Sequence, residues 1–406
     1  MPAPALRLPS LLLRPRALGW LIAALTVLIT AQHYLKGPGS YNNYLIFVKP
    51  FFNLLAEKNL YLEYPAQYQD TYKYSPTFAL FMGPLAVLPT WLGLLLWNAV
   101  NNAVFYFAAR RLFPGDARRQ ATFMLLVLID VLTSLHNAQA NCLLSGLMLW
   151  TYIHLENRRA AWAGLCLALA AFIKVYGIAI GLLFLFYPGF WRNALWAAAW
   201  LAALALAPLA VLSGPAFGMI YRGWFDIVRE SATGIQLSLM GVLQSWFGFP
   251  LRLKGVVQAL GLAVLVLPVL RWRVWTEADF RRRYVASLLI FVVIFNQMAE
   301  SPTFIIAVAG FMLWFIDYRH TTRLAWPLFG LAFVFTTLSA TDLLPHAVRE
   351  TYFDVYKLKA VPMILAWAVI HAQLLFYRRA EEDESPSAPL ARQQESQPPV
   401  VRPSAA

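Results

Sequence analysis

Long apolar stretches separated by short, arginine-rich breaks set the pattern of this chain. Apolar residues dominate 18–34, 193–212 and 324–338, which approach or reach the roughly 17–25 residues that a helix needs to cross a bilayer. Followed along the sequence, the pattern predicts about 12 crossings of this kind. They fall over 17–34, 75–110, 118–134, 139–155, 160–173, 175–188, 193–212, 256–270, 284–298, 302–316, 323–340 and 358–376. The stretch 75–110 is long for one crossing, and Pro84 and Pro89 interrupt it. It reads as a re-entrant half-helix followed by one span, because helix breaks at membrane depth are tolerated where protein or water satisfies the backbone. The expected fold class is all-α: a polytopic transmembrane helical bundle.

Composition agrees with that reading. Of 406 residues 60% are hydrophobic and 13% charged, with a mean hydropathy of +0.57. A soluble globular chain carries about 25% charged residues, so there is too little charge here to cover a soluble surface. The net charge of +13 would ordinarily point to nucleic acid. These arginines instead sit in short clusters between apolar runs, as the positive-inside rule produces. Nucleic acid is therefore excluded as a partner, and membrane lipids are expected.

With 75–110 counted as one crossing, the clusters Arg14–Arg16, Arg110–Arg111, Arg118–Arg119, Arg158–Arg159, Arg281–Arg283 and Arg378–Arg379 all fall on one side. That side is taken as the cytoplasm of a bacterial inner (plasma) membrane, with both termini in it. Residues 1–16 form a cytoplasmic N-terminus and 17–376 one transmembrane domain. The tail 377–406, rich in Glu, Ser, Pro and Gln, reads as disordered. The stretch 17–34 is long for the apolar core of a signal peptide and lacks a small-residue cleavage site, so it is read as a retained span. Cys142 and Cys166 lie in apolar runs and suggest neither a disulfide framework nor a metal site. The absence of an internal repeat weakens an inverted-repeat transporter reading.

The opposite, extracytoplasmic face carries the candidate chemistry. The first outer loop, 35–74, is dense in polar and aromatic groups: Tyr41-Asn42-Asn43-Tyr44, then Glu63, Asp70 and Tyr74. Aromatic faces beside carboxylates suit a sugar. Its segment 41–56 reads as an interfacial helix. His136-Asn137-Ala138-Gln139-Ala140-Asn141 joins two apolar helices, with Asn141 opening the second; it reads equally as a polar turn with an N-cap. Lys174 stands between two apolar segments, and an intramembrane lysine is expensive unless paired or functional. An anionic phosphate is a natural partner. In the second outer loop, 213–255, Arg222 or Arg229 can grip a phosphate as a planar fork. Glu300 sits at an outer helix break, suited to act as a base. There is no Walker loop, dinucleotide fingerprint, HExxH or nucleophile elbow, so no nucleotide cofactor is expected; the sequence does not decide whether a metal is required.

Taken together, several segments resemble glycosyltransferase family 87, of the GT-C superfamily. They are 54–61 with its Asn59-Leu60-Tyr61 ending, 74–89 from Tyr74-Ser75-Pro76 onward, Trp97-Asn98 through Asn101, Ala138–Asn141, Ala163 through Lys174, Gln236–Gly241 and Glu300-Ser301-Pro302. The resemblance covers most of 17–376, and it rests on the order and spacing of the motifs. It implies a GT-C-like bundle that moves a mannose-like hexose from a polyprenyl-phosphate donor to a lipid or glycan acceptor. It further implies that Lys174 holds the donor phosphate, with Gln139 and Asn141 near the sugar and Asn43 and Tyr74 contributing to substrate binding. Where such enzymes usually carry an Asp in the first outer loop as base, this chain has Asn43. An amide cannot accept the proton, so Glu63, Asp70 or Glu300 must supply the carboxylate. The alternatives are a transporter or flippase of lipid-linked sugars, or a non-catalytic relative.

Overall fold

The computed structural model describes residues 14–230, 236–341 and 343–377. Most of the expected cytoplasmic segment 1–16, and all but Tyr377 of the tail 377–406, lie outside the described residues. The rest is helix and turn, with no strand among the described residues. A bilayer offers the backbone no water, so each segment closes its hydrogen bonds within itself.

The chain runs through α1 (Pro15–Lys36), α2 (Asn42–Leu55), α3 (Pro76–Phe81), α4 (Gly83–Ala86), α5 (Thr90–Leu112), α6 (Ala117–His136), α7 (Asn141–Glu156) and α8 (Ala160–Ile173). A 3-10 run, Val175–Phe186, follows. Then come α9 (Phe190–Leu206), α10 (Gly214–Glu230), α11 (Leu239–Phe247), α12 (Lys254–Val266), α13 (Ala278–Ile294), α14 (Phe304–Tyr318), α15 (Ala325–Leu331), the one-turn α16 (His346–Val348) and α17 (Val361–Leu375). By length and composition six segments can cross a membrane: Pro15–Lys36, Thr90–Leu112, Phe190–Ala210, Leu251–Leu270, Ser301–Tyr318 and Leu358–Leu375. Ala160–Ile173, Val175–Phe186 and Ala325–Ala340 are apolar but shorter.

Ion pairs fix how these helices alternate. Arg119 and Arg282 both pair with Asp317. Arg281 forks onto Glu156 through two bonds of 2.8 and 3.0 Å, and Arg282 also donates to the Leu112 carbonyl. The C-terminal ends of α5, α7 and α14 therefore meet the N-terminal ends of α6 and α13. Tyr106 donates to the Pro15 carbonyl, which brings the start of α1 to the same end. One end of the bundle is thus arginine-rich, and the charge pattern had placed these same clusters on one side.

Glycines let the main helix pairs close. A Cβ on Gly146 would lie 2.9 Å from the Phe105 backbone nitrogen, one on Gly164 2.8 Å from that of Ala197, and one on Gly310 2.7 Å from the Ala286 carbonyl. These contacts bring α7 onto α5, α8 onto α9 and α14 onto α13. Small residues at crossings are how helices gain packing where lipid offers no hydrophobic drive. The α14 span is 89% buried, so the α13–α14 hairpin is the centre of the bundle.

The stretch 75–110 resolves as two short helices, a break at Val87–Pro89, and one long helix, as its prolines predict. Three other segments differ from expectation. The second outer loop is largely helical, since α10 and α11 lie within it. In α10, Ala216, Ile220 and Trp224 are buried four residues apart while Met219 and Phe225 are exposed. That apolar stripe is too narrow to stand out in a hydropathy profile. Helix α2 exists as predicted, but it buries Tyr44, Phe47, Val48 and Leu54 and packs on α3 and α4 instead of lying free at an interface. The segment expected as a helix over 175–188 is wound as a 3-10 run. Its turn from α8 is tight: a Cβ on Gly177 would lie 2.6 Å from the Ala170 carbonyl oxygen.

Candidate functional site

At the end of the bundle opposite the arginines, loops fold over a cavity of about 260 Å³. The first loop supplies one wall. Asn42 and Gln69 exchange two hydrogen bonds, the side-chain amide of Asn42 donating to the Gln69 carbonyl at 2.9 Å and its oxygen accepting from the Gln69 N–H at 2.8 Å. This sets Asp70 beside Asn43. Asp70 itself is left-handed, with φ of 72°, a conformation that costs a non-glycine residue energy. Its carboxylate is held by the Thr71 N–H and by Lys73 at 3.1 Å. Ser75 caps α3 by accepting from the Phe78 N–H and donates to the Phe172 carbonyl at 2.6 Å. The loop is thereby pinned to the end of α8, just before Lys174. Behind it, Tyr74, Phe47, Phe78 and Trp97 pack edge to face or tilted, a stable aromatic floor.

The turn between α6 and α7 supplies the second wall. Ala138 has φ of 46° and its carbonyl accepts from the Trp97 indole at 2.8 Å, which fixes the turn that presents Gln139. Across it runs an unbroken series of hydrogen bonds. Lys174 Nζ donates to Asn141 Oδ1 at 2.8 Å, Asn141 Nδ2 to Gln139 Oε1 at 2.6 Å, and Gln139 Nε2 to Glu300 Oε2 at 2.8 Å. An ammonium only donates and a carboxylate only accepts, so both amides between them must point their NH2 groups toward Glu300. Such aligned dipoles strengthen one another. Burial pushes the Lys174 ammonium down to about 8, with Glu300 pulling the other way. Burial likewise raises the Tyr74 hydroxyl, helped by Glu300 and Asp70.

Of the residues singled out from sequence, Asn43, Asp70, Tyr74, Gln139, Lys174 and Glu300 line this cavity. Asn141 is fully buried behind it and reaches it only through Gln139 and Lys174. Its side chain does not cap α7, for which no side-chain cap bond forms. Asn43 donates to the Asn137 carbonyl at 2.8 Å, which ties the first loop to the α6–α7 turn. Glu63 and Arg222 are exposed and are not among the cavity's lining residues. Gln297, Tyr176 and Trp224 line the cavity too, and sequence reasoning missed all three. Gln297 stands in the turn that carries Glu300 and reads as an ordinary turn residue. Trp224 comes from α10, whose course the sequence did not show. Among the described residues no group of three His, Cys, Asp or Glu side chains is placed to hold a metal ion.

Compared with known protein families, residues 72–302 match the model for glycosyltransferase family 87. That stretch is over half of the chain and contains Tyr74, Gln139, Asn141, Lys174 and Glu300. No curated protein matches the sequence.

Proposed function

The chain belongs to glycosyltransferase family 87, and from its membership in that family of membrane glycosyltransferases we propose that it moves a hexose, mannose-like, from a polyprenyl-phosphate donor to a lipid or glycan acceptor. The reading places the reaction at the extracytoplasmic face of a bacterial inner membrane, in a GT-C-like bundle of about 12 crossings with both termini cytoplasmic. The observation that carries it is the series Lys174–Asn141–Gln139–Glu300. One cavity holds a cation for a leaving phosphate and a carboxylate for an incoming hydroxyl, tied together by two amides.

The step is a direct displacement. Glu300 takes the acceptor's hydroxyl proton as its oxygen attacks the anomeric carbon. The bond from that carbon to the phosphate oxygen breaks, and the lipid phosphate leaves with the electron pair, steadied by the Lys174 ammonium. A cation fixed beforehand where the charge develops needs no reorganisation at the moment of reaction. Glu300 is chosen over Asp70 on occupancy. Asp70 receives Lys73 on both oxygens and Thr71 on one, whereas Glu300 accepts only Gln139 among the described residues. Asp70 then orients the acceptor from the loop side, and Tyr74 and Asn43 shape the wall between them. Glu63 and Arg222, outside the cavity, have no part in this scheme.

The test is transfer of radiolabel from polyprenyl-phosphate mannose to candidate lipid acceptors by the purified protein in lipid. Glu300→Gln is expected to lower turnover by about 10²–10⁴, the usual worth of a general base, and Glu63→Gln to leave it intact. Turnover lost in Asp70→Asn but kept in Glu300→Gln would move the base to Asp70. Donor bound without any transfer would favour a carrier of lipid-linked sugars.

A further inference from the structure

Three neutral polar groups in this cavity's wall have no hydrogen-bond partner among the described residues. Gln297 is 4% exposed and lines the cavity, yet neither its Oε1 nor its Nε2 makes a hydrogen bond among the described residues. The Tyr176 hydroxyl and the Trp224 indole N–H are in the same condition. Buried polar side chains in native proteins are nearly always paired, and an orphaned one is costly. Elsewhere the cavity follows that rule: Gln139 is bonded at both ends of its amide, and Gln258 donates to the Phe295 carbonyl at 3.2 Å.

The chemistry of the orphans narrows the ligand. None of the three carries a charge, so this wall is not built for a phosphate, which has Lys174 to meet it. A primary amide offers both donors and an acceptor, the pairing that a sugar hydroxyl needs. The aromatic rings of Trp224 and Tyr176 suit the apolar face of a pyranose. The backbone around Gln297 is firmly held. Met298 N–H donates to Asn296 Oδ1 at 2.9 Å, Ala299 N–H to the Asn296 carbonyl at 3.2 Å, and Leu237 N–H to the Ala299 carbonyl at 3.1 Å. Glu300 is three residues further along the same turn.

We infer that Gln297 reads a hydroxyl of the transferred hexose, with Trp224 and Tyr176 donating beside it, and so decides which hexose the enzyme accepts. The inference rests on the transferase reading above. It assigns sugar selection to the turn that also holds the base, so that a hexose with the wrong hydroxyl leaves the amide unpaired and is displaced from Glu300.

The experiment measures kcat/KM in nanodiscs for polyprenyl-phosphate mannose, its 2-, 3-, 4- and 6-deoxy analogues, and the glucose and galactose donors. For the wild type, removal of one particular hydroxyl is expected to cost about 10- to 100-fold, because it strands a buried amide. Gln297→Met, close in volume but without polar atoms at its end, is expected to lose a similar factor on the intact sugar. It should also become indifferent to that same hydroxyl while keeping wild-type ratios for the others. Gln297→Glu, which keeps acceptors and loses donors, should fall between the two and serves if the Met variant does not fold. Wild-type ratios across all analogues in both variants would overturn the inference and leave the transferase reading standing. A wild type that transfers sugar from none of the donors would overturn the reading beneath it.

Discussion

Replacing Lys174 with Met should separate binding from folding. A fall in the Lys174 pKa from 10.5 to about 8 corresponds to about 3 kcal/mol against the charged form in the folded protein at neutral pH, at 1.36 kcal/mol per unit. Met removes that cost. It also leaves Asn141 Oδ1, at the centre of the series, without the donor it now has at 2.8 Å, a loss of about 1–3 kcal/mol. The two terms nearly cancel, so Lys174→Met should unfold within about 2 kcal/mol of the wild type. Binding has no such compensation. Removing one partner of a buried, hydrogen-bonded charge pair costs about 2–5 kcal/mol, which is roughly 30-fold to several thousand-fold in donor affinity. The assay is equilibrium binding of a polyprenyl phosphate to protein in nanodiscs, alongside thermal unfolding of the same samples. A variant that keeps its melting temperature and binds the lipid phosphate as tightly as the wild type would show that Lys174 does not meet the donor.

Three other outcomes follow. Because the folded-state pKa of Lys174 lies below its ordinary value, the unfolded chain holds the extra proton between about pH 8 and 10.5. Stability should therefore rise with pH across that window while donor affinity falls above about pH 8; Lys174→Met should flatten both curves, and opposite slopes would refute the assignment. Gly164→Leu forces side-chain atoms into the 2.8 Å approach to the Ala197 backbone and should cost about 1–3 kcal/mol, measured by thermal unfolding, with Gly164→Ala milder. Asn43→Asp sets an acceptor against the Asn137 carbonyl now 2.8 Å from the Asn43 amide; it should lower transfer activity, and a gain in turnover would show that Asn43 stands in for a missing base.

The all-helical class and the arginine-rich end were legible because both are written in composition and spacing: a long apolar run has few foldings in lipid, and charge clusters recur at the ends of segments. Lys174 and Glu300 were legible for the same reason, as ionisable groups where an apolar run breaks. What stayed hidden depends on which residues meet across separations that run from 27 positions for Asn42 and Gln69 to 161 for Gln139 and Glu300. Nothing local in Gln139 or Asn141 says that one bonds Glu300 and the other Lys174. Helix α10 was hidden because its buried stripe is only three residues wide, so Trp224 could not be assigned to the cavity. Glu63 and Asp70 look alike in sequence; only the Asn42–Gln69 pairing brings Asp70 to the wall and leaves Glu63 outside it.

Under the proposed function, an amide at Asn43 where the resemblance leads one to expect an Asp has a physical reason within this arrangement. An amide there joins the first loop to the α6–α7 turn, a joint that a carboxylate would break. Once that position is spent on holding two loops together, the proton-accepting group has to come from elsewhere on the cavity. The turn between α13 and α14 is a better platform than the loop. It emerges from the most deeply packed hairpin of the bundle, and its backbone is tied to Asn296 and Leu237. A reacting group must be held to within about 0.5 Å of its working geometry. Helix ends rooted in a close-packed core meet that demand more readily than a loop does, although both carboxylates, Asp70 and Glu300, are themselves exposed. Under the proposed function, the amide at Asn43 leaves the base to the more rigid wall, and Gln139 and Asn141 couple that wall to Lys174.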